Sequence, residues 1–443
     1  MKRRNFIQSS VTAGAGLLIL PGYMQSIKGA NDRLNIALIG AHGRASQLYH
    51  HINTENIVAI CDVHADKMSL AAAEFPGAKR YTDWRKCLEQ KDIDAVFICT
   101  PDHHHAFINI WAMNRGLHVF CEKPLADSVE EAREVRKTYL ANRNKLATQH
   151  GTQRHAHENF ARVSELVRNG AIGELKVVQA WGSRTHNEKG YRPSEGPPPP
   201  TIDWEQWIGP VRMHPYNSGY FSAERPGSNC LNWNMFLDFG AWQIGDMGAH
   251  TMDLAWQAID ADLPITIEAT GDSWNPEVAP SDHHATFTFP ATNWRGEITL
   301  EWFQGTLKPE IPHSALDITR IGHGVMFRGT KGTLIADFTS RILIPDREGA
   351  DMTYYNAPDK NMVAPEFGNF WAQWINACKG DPMKTTCNFD YAGRMIETLY
   401  LGLAAHQSGK KLHYDSSEGR VTNDPIANDF LRKEYRSGWV LNG

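Results

Sequence analysis

The stretch Asn35-Ile36-Ala37-Leu38-Ile39-Gly40-Ala41-His42-Gly43-Arg44-Ala45 decides the fold. Its first six residues are almost all apolar, as a strand buried on both faces of a parallel sheet requires. A glycine-bearing turn follows and runs into a helix predicted over 45–53. Strand, glycine turn and helix in that order make a dinucleotide-binding fingerprint. An acidic residue, Asp62, ends the next predicted strand, 22 residues past Gly40. A carboxylate there accepts hydrogen bonds from ribose hydroxyls and repels a 2′-phosphate, which favours NAD over NADP. His42 occupies the second glycine position of G-x-G-x-x-G and Ala45 the third. Alanine is tolerated at the third; a side chain at the second crowds the pyrophosphate unless His42 points away. The candidate cofactor residues of this stretch are Gly40, His42, Gly43, Arg44 and Asp62.

Working outward, the pattern repeats. Strands are predicted at 57–61, 93–99, 117–121 and 146–149, and helices at 65–75, 104–115 and 128–142. Glu130 and Glu131 fall in the first turn of the last helix, where the helix dipole favours them. Alternating strands and helices indicate a doubly wound parallel sheet. Within it, 116–124 reads G-L-H-V-F-C-E-K-P. Glu122 and Lys123 follow the apolar run directly, and Pro124 stops the strand and restricts Lys123 to extended backbone. A lysine at the carboxyl end of a core strand sits where such sheets bind ligands. A solvated ion pair in a surface turn is the competing reading.

From about Gly151 the pattern changes. A helix is predicted at 158–168, a turn at 170–173 and a strand at 175–181. An irregular stretch, 183–234, holds a Gly-Pro-Pro-Pro-Pro run and many aromatics; a loop this long is usually functional. A helix at 246–259 precedes strands at 265–270, 285–289, 296–303, 325–328, 333–336 and 341–344, several of them alternating apolar and polar. That alternation predicts an antiparallel sheet with one covered face. Helices are predicted at 367–378 and 391–408. The expected organisation is a leader over 1–30, a dinucleotide-binding domain over 31–150 and an α+β substrate domain over 151–443.

Lys2, Arg3 and Arg4 followed by an apolar run over 11–20 read as an export leader, of twin-arginine or ordinary secretory type. The run is too short to span a membrane. Adjacent arginines before x-Phe-Ile resemble a twin-arginine signal, a route that carries folded, cofactor-loaded proteins. The expected location is therefore periplasmic or otherwise exported, without stable membrane insertion. A net charge of -5 argues against nucleic-acid partners. The 14 tryptophans suit a ligand with apolar faces and hydroxyls, such as a sugar, although most belong to the core. None of the seven cysteines has metal-ligand spacing.

The helix at 246–259 opens Asp-Met-Gly-Ala-His-Thr-Met-Asp, so Asp246, His250 and Asp253 share one face. A helix cap with a structural histidine, a metal pair and a catalytic cluster all fit that spacing. No third ligand presents itself, and no metal is expected.

Taken together, these motifs resemble the Gfo/Idh/MocA family, named for glucose–fructose oxidoreductase and inositol dehydrogenase. Its hallmarks stand here as Glu122-Lys123-Pro124 and Asp246-Met247-Gly248-Ala249-His250. The turns Thr100-Pro101-Asp102-His103 and Gly170-Ala171-Ile172-Gly173 match as well, as do Asp203-Trp204, Trp207 to Pro210, and Arg436 with Gly438-Trp439. The resemblance is closest to the exported branch, and only His42 departs from the cofactor pattern. It implies a Rossmann domain followed by an α+β domain with a large, mostly antiparallel open sheet, a tightly held NAD, and a homodimer or homotetramer. It implies that Thr100, Pro101, His103 and Glu122 line the cofactor. It makes His250 the base for a substrate hydroxyl and Lys123 a donor to the same oxygen, with the lysine pKa lowered by burial. Asp246 would orient the substrate or the imidazole.

The expected activity is hydride transfer between nicotinamide and a secondary hydroxyl of a sugar, glycoside or polyol. The alternative on the same fold is a redox-neutral glycosidase, in which transient C3 oxidation acidifies the C2 proton and permits elimination. A non-catalytic sugar-binding protein is the third reading; the intact Lys123, Asp246 and His250 argue against it. His283-His284 receives no functional account.

Overall fold

The apolar runs of the first half become six strands: β1 Asn35–Ile39, β2 Asn56–Cys61, β3 Lys79–Tyr81, β4 Ala95–Ile98, β5 His118–Cys121 and β6 Thr148–His150. All pair in parallel, in the order β3-β2-β1-β4-β5-β6. The chain reverses direction across the sheet at β1 and β4, the switch point where ligands bind in such sheets. The computed structural model describes residues 33–221, 230–311, 317–346, 368–381 and 385–442; the expected leader lies outside them.

Both faces of this sheet are covered. Phe97 on β4 and Phe120 on β5 stack with ring centroids 4.3 Å apart. Trp374, wholly buried on the helix Phe370–Cys378, packs edge-on against both, at 5.9 and 5.7 Å. The chain thus returns from near its C-terminus to close the first sheet. The 20-residue helix Phe389–Ser408 lies along Val129–Asn142. Gly393 permits their approach, since a Cβ there would stand 2.8 Å from Cβ of Arg136. Ser128 caps Val129–Asn142 by accepting from the Glu131 amide at 3.1 Å.

The second sheet has nine strands: β7 Leu175–Gly182, β8 Thr266–Gly271, β9 His283–Phe289, β10 Ile298–Gln304, β11 His323–Gly329, β12 Gly332–Ala336, β13 Arg341–Pro345, β14 Leu412–Asp415 and β15 Arg420–Val421. Their order is β13-β12-β11-β7-β10-β9-β8-β14-β15. Only β7 and β10 pair in parallel. On β9 and β10 every second residue is buried, including Phe287 and Trp302, on the face that the helices Met247–Ile259 and Phe389–Ser408 cover. His283 stacks on His406 in this core, and His284 pairs with Glu301 at 3.2 Å and stacks on Phe303.

Two expectations are corrected. The helix predicted over 45–53 is a 3-10 turn, Ala45–Gln47, followed by one short turn, Tyr49–Ile52. Arg44 at its start offers no capping acceptor, and the first turn has no acidic residue, so nothing stabilises a longer helix. The stretch 183–234 has structure of its own where it is described. The helix Trp204–Ile208 is capped by Asp203, and Trp204 and Trp207 stack at 4.8 Å within a separate aromatic cluster.

Candidate active site

A cleft of about 1110 Å³, counted with the open solvent at its mouth, lies at the carboxyl ends of β1, β2, β4 and β5. Gly40, His42, Gly43, Arg44, Asp62, Thr100, Pro101, Glu122 and Lys123 all line it. Gly40 has φ +76°, and a Cβ there would stand 2.5 Å from the Cys99 carbonyl, so no other residue fits. His42 lines the cleft, and its amide donates to Asp62 at 3.3 Å. Gly43, at φ +77° with open space beside it, supplies the close backbone approach one residue later than the usual pattern. Asp62 also accepts from the His64 amide at 3.0 Å, which fixes its carboxylate at the end of β2. Arg44 reaches across to Glu122 at 3.4 Å. The bare glycines, the anchored carboxylate and one arginine form a donor set that fits a dinucleotide. Pyrophosphate would lie at Gly43 and Arg44, and ribose at Asp62.

The long loop closes this cleft. Ala65 donates to the Thr201 carbonyl at 2.7 Å and Asp203 to the Val63 carbonyl at 2.9 Å. The loop is thereby strapped beside Asp62, and Ile202, Gln206 and Trp207 join the lining. His103 does not line the cleft: its ring faces the carbonyls of Trp207, at 2.9 Å, and Phe239, and its neighbour His104 is at the cleft wall. A buried imidazole needs polar partners, and these carbonyls supply them. His105 sits between the Thr100 carbonyl, at 2.9 Å, and the Pro124 carbonyl, at 2.5 Å, and so ties together the two loops that carry the lining.

At the inner end of the cleft the two sheets meet. Lys123 follows β5, and its peptide bond to Pro124 is cis. Its ammonium pairs with Asp246 Oδ1, and Arg184 Nη1 donates to Asp246 Oδ2 at 2.8 Å. Burial alone would raise the Asp246 pKa, but Lys123 and Arg184 hold it at about 2. The expectation of a lowered lysine pKa is overturned. Burial does press it down, but the Asp246 carboxylate outweighs burial and raises it. Lys123 is therefore an ammonium, able to donate and unable to accept a proton.

His250 stands one turn beyond Asp246 on Met247–Ile259. Burial first, then the cations Lys123 and Arg154, push its pKa well below the ordinary value, so the imidazole is neutral. Its Nδ1 has no hydrogen-bond partner. Asp253 does not join this group. It accepts from His155 Nδ1 at 2.9 Å and from the Tyr391 hydroxyl at 2.6 Å, deep in the interior. Ligand-type atoms of His155, Asp253 and Cys387 lie within 4.8 Å of one another, with Asp253 already engaged by those two donors. Sequence reasoning missed Arg184, Arg154, His104 and Gln206. Isolated arginines and a histidine run carry no periodic signal that would have singled them out.

The family model described as oxidoreductase family, NAD-binding Rossmann fold, matches residues 34–172. Inositol 2-dehydrogenase 4 of Saccharopolyspora erythraea is 32% identical over 149 residues, 32% of this chain and 44% of that protein. A glycosyl hydrolase family 109 protein of Stenotrophomonas maltophilia is 31% identical over 230 residues, 47% of this chain and 48% of that protein. The chain thus spans about half the length of the curated relatives it matches. Among solved structures, the WlbA dehydrogenase of Bordetella pertussis, in complex with NADH and UDP-GlcNAcA, superposes with TM-score 0.59 at 16% identity over 86% of this chain and 98% of that one. The inositol dehydrogenase homologue of Azotobacter vinelandii, with NADH and myo-inositol, gives TM-score 0.56 at 16% identity, with the same coverage of 86% and 98%. At these identities the structures share the fold.

Proposed function

We propose that the chain, whose residues 34–172 match the NAD-binding Rossmann fold of the oxidoreductase family, is a Gfo/Idh/MocA-type oxidoreductase that transfers hydride between NAD and a secondary hydroxyl of a sugar, glycoside or polyol. The observation that carries this is the pairing of Lys123 with Asp246 at the inner end of the dinucleotide cleft, with a neutral, buried His250 within electrostatic reach of both. NAD supplies the hydride acceptor. His250 takes the hydroxyl proton, for which a neutral imidazole is suited. Lys123 donates to the same oxygen and stabilises the charge that grows on it. Asp246, anchored by Arg184, holds the ammonium in place and keeps it charged.

The glycosidase reading is retained on one observation, the similarity to the family 109 glycosyl hydrolase. Redox-neutral turnover also suits the leader. NAD loaded before export and recycled within each turnover needs no outside pool of cofactor. We propose export and a homodimer or homotetramer as parts of the same reading.

Mass spectrometry of the supernatant after denaturation, followed by a glycoside panel, tests the proposal. Released NAD with reduced nicotinamide accumulating on sugar supports the dehydrogenase. Aryl glycoside cleavage with no net NADH supports the glycosidase. A protein that neither carries nor binds nicotinamide contradicts both.

A further inference from the structure

The substrate side of the site holds more positive charge than the proposed chemistry uses. Arg154 lies over the Phe338 ring, 3.7 Å from its centroid, and its Nε has no partner. That ring stands 6.3 Å from the His250 ring and 6.2 Å from the His323 ring, which places the guanidinium beside the base. Arg184 is 39% exposed, so its side chain reaches solvent from the Asp246 pair. Lys308 donates to the hydroxyl of Ser183, next to Arg184 in sequence, and burial lowers its pKa to about 8.

Two carboxylates face this group. Asp246 is already shared by Lys123 and Arg184. Asp337, also within electrostatic reach of Arg154, accepts from the amides of Thr339 and Ser340 at 2.7 and 2.6 Å. Among the described residues, neither Arg154 nor Lys308 has an ion-pair partner. NAD in its oxidised form would add a cationic ring to the same space.

Unused polar capacity lies alongside. Gln243 is fully buried, yet both its amide atoms lack partners. Its Oε1 and Nδ1 of His323 converge on Gly182, at 3.1 and 3.2 Å from where a Cβ would stand. His323 Nδ1 is unpartnered too. Buried polar groups left open in this way, beside excess cations, are complementary to a polar anion.

We infer that the substrate is an anionic sugar, with a carboxylate or phosphate substituent seated against Arg154 and Lys308 while its reacting hydroxyl lies between Lys123 and His250. This rests on the hydride-transfer reading and adds the substrate's charge to it. Guanidinium forks bind carboxylates and phosphates bidentately, whereas a neutral hydroxyl leaves the half-buried cations uncompensated.

The test is a kinetic panel on the NAD-loaded enzyme with matched neutral sugars, uronates and sugar phosphates. An anionic class exceeding its neutral counterparts by about tenfold or more in kcat/KM is expected, and the better class identifies the substituent. Arg154→Leu keeps the contact with Phe338. It should raise KM for the anion by a larger factor than it changes kcat, while Arg154→Lys recovers part of the discrimination. Calorimetric titration of the anion into the NADH complex gives a readout independent of turnover, and Lys308→Met is the second variant should Arg154→Leu fail to fold. Neutral sugars reacting as well as anionic ones, or discrimination that survives both Arg154→Leu and Lys308→Met, overturns the inference and leaves the hydride-transfer reading standing. A protein with no nicotinamide and no sugar turnover brings down that reading instead.

Discussion

Two histidine–aspartate groups hang from the same helix, Met247–Ile259, and they are built to opposite ends. In the first, Asp246 lines the cleft and His250 is buried near it among cations; the imidazole is held neutral and its Nδ1 is unpartnered. In the second, one turn on, Asp253 holds His155 and Tyr391 in a closed interior network. Burial would lower the His155 pKa, but the adjoining carboxylate raises it well above the ordinary value. Residue type does not separate the two groups, and neither does spacing along the helix. What separates them is whether hydrogen-bonding capacity is used up, and which sign of charge faces the ring.

This contrast can be broken by mutation. The largest effect belongs to the open group. Lys123→Ala and His250→Ala should each lower kcat by about 10²- to 10⁴-fold, with NAD affinity unchanged in a fluorescence titration. Wild-type turnover in either variant would erase the distinction. Asp253→Asn should act on folding instead. Removing one partner of a buried ion pair costs about 3–5 kcal/mol, read from urea unfolding, while kcat per folded molecule stays near wild type. Tyr391→Phe deletes one hydrogen bond of that network and should cost about 1–2 kcal/mol in the same measurement.

The smallest effect is a position on the pH axis. The active form of His250 is unprotonated, and a lowered pKa means that this form persists as the solution becomes more acidic. The acid limb of kcat/KM should therefore lie below the ordinary histidine value of 6.5. A limb at or above that value would show an imidazole that does not feel Lys123 and Arg154.

The parallel sheet was legible because its strands are continuous apolar runs separated by helical spacing; 35–40 and 117–121 could hardly be anything else. The strands that sequence reading missed, β3, β14 and β15, lie at or next to sheet edges, and they are short and largely polar, so no periodicity marks them. The Glu-Lys-Pro and Asp-x-Gly-x-His motifs pointed to Lys123 and Asp246, which pair at one end of the cleft, and to His250, which is buried within electrostatic reach of Lys123. The sign of the lysine shift was not legible, because it depends on a carboxylate 123 residues away in sequence. The same holds for His103 and His104. Both rings meet the Trp207 carbonyl, and His103, the one outside the cleft lining, also meets the Phe239 carbonyl of the same distant loop. Covering of the first sheet by Trp374 is likewise a long-range contact that local pattern cannot announce.

One measurement bears most directly on hydride transfer at Lys123 and His250. NAD-saturated wild type, Lys123→Ala and His250→Ala are mixed rapidly with a reactive sugar, and nicotinamide reduction is followed through the first turnover. The account predicts reduction in the wild type, and in both variants full NAD occupancy with reduction slowed at least about a hundredfold. Equal first-turnover rates in all three proteins would contradict it.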